Sequence, residues 1–263
     1  SFSAALIDCD WEHIGKETCM LLYAREPCDR TVLVIVPFED YFYVKISKDT
    51  PRQVVLDKLK SAADKIVVDK WSRGPKSLRS LDSTEYIVRT ELVEDHRTVY
   101  GFMPYDQTFL KVFVRSPEVC VKLKKILEAE ETLELFEIHT DPVTKFMVAN
   151  NLEGTGFFHV DDCVETSDES ECLSTCHRQV RAMAVKVSTD KNLVYKPVIM
   201  YYDIETLSYD LDTFPKPEHC PCFQISYVVR RGDDEVGKGV ICMRETPGHE
   251  WYHHESQVLV RFE

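Results

Sequence analysis

Val198-Ile199-Met200-Tyr201-Tyr202-Asp203-Ile204-Glu205-Thr206 runs an apolar, β-branched and aromatic segment straight into two carboxylates one residue apart. That composition predicts a strand. Side chains alternate across a strand, so Asp203 and Glu205 fall on one face, about 7 Å apart at their Cα atoms. Ile204 is expected on the opposite face, turned into the core. Two carboxylates held so can share hard divalent cations such as Mg²⁺ or Mn²⁺. Paired cations of this kind clamp the attacking and leaving oxygens of a phosphoryl displacement. The spacing also suits a strand whose acids simply face solvent, although the apolar run before them fits that less well.

Downstream, Phe223-Gln224-Ile225-Ser226-Tyr227-Val228-Val229 and Gly239-Val240-Ile241-Cys242-Met243 predict two more strands. Glu255 to Phe262 predicts a helix with Val258, Leu259 and Phe262 on one side. Three strands, the first bearing Asp-x-Glu, then a helix, is the order of an RNase H-like nuclease. Upstream, strands are expected at 17–23, 31–36, 41–46, 84–91, 97–102, 108–114, 135–139 and 179–187. Thr50 is the expected N-cap of a helix with Pro51 in its first turn and Val54, Val55, Leu59 and Ala62 at helical spacing. Ser116-Pro117-Glu118 opens a second helix and Asp141 a third. Residues 161–172 are acidic and polar and predict an exposed loop. The fold class is therefore α/β (α+β): a mixed amino-terminal domain over 1–196, then an incomplete nuclease domain over 197–263.

Composition narrows the function. Lys and Arg number 32 against 45 Asp and Glu, a formal net charge of −13. That argues against an autonomous nucleic-acid binder, whose affinity comes largely from neutralising phosphates. It leaves room for a DNA groove completed by basic parts elsewhere. No apolar run reaches the roughly 18–20 residues needed to span a bilayer, so no membrane partner is expected. The start of the sequence lacks a basic n-region, which argues against a secretion signal. Ten cysteines are spread without small-domain spacing. Cys9, Cys19, Cys28 and Cys120 sit among apolar residues and read as buried free thiols of an intracellular protein.

Other groups carry weaker signals. Cys163, Cys172, Cys176 and His177, with His219, Cys220 and Cys222, include zinc-ligand residue types, but C-x8-C-x3-C-H and H-C-P-C are not usual zinc spacings. Loop thiols and surface histidines are the plainer account. Trp251, Tyr252, His253 and His254 suit stacking on a single strand or a loop before the last helix. Phe38, Tyr41, Phe42 and Tyr43 suit a base-stacking platform or a core. The lysines at 58, 60, 65, 70, 122, 124 and 125 are most simply solvated. No nucleophile–base arrangement or glycine-rich phosphate loop is present.

Asp203-Ile204-Glu205-Thr206, between Tyr201-Tyr202 and Leu207-Ser208-Tyr209, resembles the first exonuclease motif of family B DNA polymerases. Residues 34–45 resemble the strand–turn–strand near the start of those enzymes. Phe109 to Pro117 is similar to their lysine–valine strand and following helix. Phe136-Glu137-Ile138-His139 with Lys145-Phe146-Met147-Val148, and Asn151 to Phe158, resemble two further segments in the same order. The resemblance implies a replicative DNA-directed polymerase with a proofreading 3′–5′ exonuclease, acting on template and primer DNA with dNTP substrates and a processivity factor. It implies that Asp203 holds both Mg²⁺ or Mn²⁺ ions and Glu205 the ion that activates water. The family's second motif (an Asn and an Asp) and third (a Tyr and an Asp) do not occur by Glu263, so this stretch alone is expected to bind metal weakly and cut little. Short loops and the cysteine-bearing insert lean toward a large double-stranded DNA virus, and so toward a host nucleus or viral replication compartment. A non-catalytic nucleic-acid-binding or scaffold role for 1–196 remains the alternative, and a stand-alone nuclease is disfavoured by the missing carboxylates.

Overall fold

The computed structural model describes residues 1–66, 82–97, 106–129, 133–190, 192–208 and 212–242. It divides into two compact units, Ser1–Leu193 and Val194–Glu263. The expected strand 97–102 beyond Arg97, Lys70, Met243, the aromatic cluster at 251–254 and the helix over 255–262 lie outside the described residues.

In the first unit, β1 (Phe2–Ile14), β2 (Glu17–Arg25) and β3 (Thr31–Pro37) form an antiparallel meander. Later strands extend it on both sides: β8 (Phe157–Val160) and β11 (Lys186–Val187) beyond β1, β10 (Arg178–Ala182) and β9 (Cys163–Glu165) beyond β3. Among the described residues of this sheet only the β3–β10 ladder is parallel. Alternation sorts this sheet into two cores. Leu6, Met20, Leu22, Val32, Val34 and Val180 pack on one face with Phe146, while Cys19, Leu21, Leu33 and Ile35 cluster on the other.

A second sheet has the order β5 (Ile87–His96), β6 (Gln107–Val114), β4 (Asp40–Lys45), β7 (Leu135–Phe136). Its even-numbered residues Phe42, Val44, Leu110, Val112 and Val114 meet Val55 and Leu59 of α1 (Arg52–Asp64) and Val119, Leu123 and Leu127 of α3 (Pro117–Ala129). A short helix α2 (Ser83–Tyr86) adds Tyr86 to that core. The odd-numbered Tyr41, Tyr43, Phe109 and Phe113 form an aromatic cluster on the other face. Tyr41 and Tyr43 are each 5 % exposed and Phe42 is fully buried, so these three are core and not an open stacking platform. Helix α4 (Pro142–Ala149) joins the two sheets: Phe146 enters the core of the first, while Lys145 bonds Asp40 of the second.

Several elements depart from expectation. The cap of α1 is Pro51, without a side-chain bond; the Thr50 N–H bonds Ser47 instead. The strand over 135–139 ends at Phe136, because Glu137 turns at φ 59°. Within the loop 161–172, Cys163–Glu165 pairs with β10. The strand over 179–187 splits into β10 and β11, which join opposite sides of the sheet. Cys28 is exposed rather than buried, since it lies in the 26–30 turn where Asp29 adopts φ 70°. Among the described residues no helix is long and apolar enough to cross a membrane.

Candidate metal centre

The second unit is an antiparallel sheet in the order β12 (Val198–Thr206), β13 (Cys222–Arg231), β14 (Asp234–Cys242). β12 forms because its Val, Ile and Tyr residues favour extended backbone. Gly232, at φ 61°, supplies the left-handed turn between β13 and β14 that a side chain would strain. Asp203 lies opposite Ser226 and Glu205 opposite Gln224, with Ile204 opposite Ile225 between them. The β12–β13 register is unbroken through Glu205 and shifts only at Thr206. Both carboxylates therefore occupy one face, with Cα atoms about 6.6–6.8 Å apart. Ser226 and Gln224 share that face.

Both carboxylates are exposed, and among the described residues neither forms an ion pair. The one hydrogen bond at the pair is local: Asp203 Oδ1 accepts from the Ile204 N–H at 3.0 Å. Two like charges at this separation repel by only about 0.6 kcal/mol in a water-like dielectric. The sheet tolerates them without a counterion, and a bound cation is not needed for the fold. The donor set fits a hard divalent cation incompletely. Mg²⁺ is held through one or two carboxylates with water and substrate phosphate completing its shell. No group of three or more His, Cys, Asp or Glu residues suited to a metal occurs among the described residues.

The expectation that Ile204 enters a core is not met, for it is 46 % exposed. Val198 to Tyr202 are all exposed as well. The physical reason is that, among the described residues, β13 is the one strand paired with β12 and no helix covers either face. The strand is also at the sheet's edge rather than its centre. The cysteine and histidine candidates do not converge. Cys172 is exposed, Cys163 and Cys176 are half-buried, and all three are free thiols. His177 Nδ1 accepts from the Thr31 N–H, and Cys222 Sγ contacts the Gln224 carbonyl.

The fold is shared with the family B DNA polymerase of the hyperthermophilic archaeon Pyrobaculum calidifontis. The match has a TM-score of 0.60 at 17 % identity, over 92 % of this chain and 27 % of that one. This chain thus spans about a quarter of the length of the polymerase it resembles. No curated protein matches the sequence. Residues 38–121 match the DNA polymerase delta catalytic subunit-like amino-terminal domain, and residues 133–259 match the exonuclease domain of DNA polymerase family B. Taken in order along the chain, the two matches liken it to the amino-terminal and exonuclease domains of family B DNA polymerases. The exonuclease match begins within the first compact unit, at residues that pack beside β4, and continues through β12 to β14.

Proposed function

We propose that the protein containing this chain copies DNA and excises mispaired 3′ ends, with Asp203 and Glu205 as metal ligands of the excision site. The observation that carries this is the shared face of the two carboxylates on an unbroken ladder inside the matched exonuclease region. When bound, a pair of Mg²⁺ or Mn²⁺ ions supplies charge stabilisation to the attacking and leaving oxygens of a phosphodiester. Asp203 and Glu205 orient that charge toward a 3′ terminus. Their exposure leaves the face open to a strand end and to further ligands. The substrates are then template–primer DNA and dNTPs, and a processivity factor is the expected protein partner. Residues 1–196 serve as the amino-terminal domain. A viral source, with synthesis in the host nucleus or a viral replication compartment, is our reading of the short loops and cysteine-bearing insert.

The test is Asp203→Ala in the complete polymerase, with excision of a mismatched primer and primer extension measured side by side. Loss of excision with synthesis retained is expected. Retained excision would remove the assignment of Asp203.

A further inference from the structure

A cavity of about 470 Å³ lies in the first unit, remote in sequence from the carboxylate pair and independent of its function. Its volume is within the range of small-molecule sites. Phe38, Tyr41 and Phe113 form one wall, and Arg89, Lys111 and Arg115 line it as well. Strand alternation places Lys111 and Phe113 on the side of β6 facing away from the helices, and Arg115, just past the end of the strand, lines the same cavity.

The cations differ in how they are satisfied. Arg89 stacks on Phe113, with its Cζ 3.4 Å from the ring centre, and is paired with Glu39 and Glu91. Glu17, another lining acid, is paired with Arg181. Lys111 has no hydrogen bond or ion pair among the described residues; its Nζ rests 3.8 Å from the Tyr41 ring centre. Burial pushes its ammonium below the usual lysine range, while Glu91 and Glu137 pull weakly the other way. Arg115 also forms no ion pair among the described residues, and its buried Nε has no hydrogen-bond partner. Half-burying a cation without an acceptor is unfavourable, and an aromatic face only partly replaces lost hydration. In a chain of net charge −13, two unneutralised cations on one cavity wall stand apart from their surroundings.

We propose that this cavity binds a phosphate-bearing ligand, with Lys111 and Arg115 as its charge-neutralising donors. Phosphate supplies several strong acceptors, which a guanidinium engages through paired N–H groups and an ammonium through point charge. The same chemistry is offered by free phosphate and by the phosphodiester backbone of a nucleic-acid strand. Glu17 is neutralised by Arg181, while Glu39 shares Arg89 with Glu91, so one acid's worth of charge near the wall competes with the ligand for the cations.

The experiment titrates the 263-residue chain calorimetrically with inorganic phosphate to about 20 mM and, separately, with a single-stranded oligothymidylate. Lys111→Gln and Arg115→Gln should each weaken binding about tenfold or more, whereas Lys16→Gln, which removes an exposed charge elsewhere, should not. Thermal unfolding identifies which variants keep the native fold, and either one that does is decisive. Should neither do so, the charge-preserving Lys111→Arg replaces them and should retain binding. Phosphate binding that needs the two residues upholds the proposal for free phosphate; strand binding alone with the same dependence upholds it for a backbone. Absence of binding in both arms, or binding indifferent to both residues, overturns it.

Discussion

The Lys145 ammonium donates to Asp40 Oδ1 at 2.7 Å, with neither side chain more than 2 % exposed. The same ammonium donates to the Tyr41 carbonyl at 2.5 Å, and the Tyr41 N–H donates to Asp40 Oδ1 at 2.8 Å. Burial pushes the Asp40 carboxyl up, against the opposing pull of Lys145. Charges so deeply buried depend on each other more than they add to stability. Lys145→Met should therefore cost about 3–5 kcal/mol, by leaving a carboxylate unpaired. The double variant Asp40→Leu/Lys145→Met should recover most of that loss. With the single variant Asp40→Leu as the fourth protein, urea unfolding forms a double-mutant cycle, and a double variant as unstable as Lys145→Met would contradict the pairing argument.

At the carboxylate pair, stability and metal binding should separate. Asp203 is exposed with one local hydrogen bond, so Asp203→Asn should change stability by no more than about 0.5 kcal/mol. Mn²⁺ titration followed by paramagnetic relaxation should nevertheless show weaker binding in the variant. Equal binding by both proteins would place the cation elsewhere.

Thiol chemistry provides a third check. Cys120 is buried beside Asp40, and burial first, then that carboxylate, raises its thiol from 9.0 to about 12. Iodoacetamide at about pH 8 should label Cys28 and Cys172 while sparing Cys120 until the chain is denatured. Because the folded thiol holds its proton more tightly than the unfolded one, its contribution to stability is complete below pH 9 and is lost as pH rises toward 12. Cys120→Ala should flatten the fall in melting temperature over that interval.

Tyr227 and Gly239 are direct cross-strand partners in the second unit. A Cβ on Gly239 would meet the tyrosine hydroxyl oxygen at 2.6 Å and its Cζ at 2.8 Å. Gly239→Ala should displace the ring and cost about 1–2 kcal/mol. In a Tyr227→Ala background the same substitution should cost much less, as read by thermal unfolding.

Local patterns carried much of the fold. The run Thr31–Val36 and most apolar positions of α1 and α3 were legible because burial follows residue periodicity, although Val54, placed on the same face as Val55, is exposed at the edge of the stripe. β1 was overlooked although Asp8, Asp10 and Glu12 alternate with Cys9 and Trp11, a period-2 signal with its apolar side only partly buried. The short strands β9 and β11 owe their existence to distant partners, which no local propensity encodes. At the candidate site, the shared face of Asp203 and Glu205 followed from the pleat alone. The exposure of Ile204 did not, because burial depends on what packs over a strand rather than on its own residues. Lys111 was passed over as a member of an ordinary strand and Arg115 as the residue after it, since a cavity between sheets leaves no linear trace.

The ladder joining Arg178 to Val32, and the one joining Phe2 to Val160, give the first sheet a particular history during synthesis. The meander of β1 to β3 is translated before the strands that flank it on both sides. Until they arrive, the edges that β1 and β3 later pair through are open to other strands. Protecting that interval, by chaperone or by slow translation, should govern how much native protein a cell obtains.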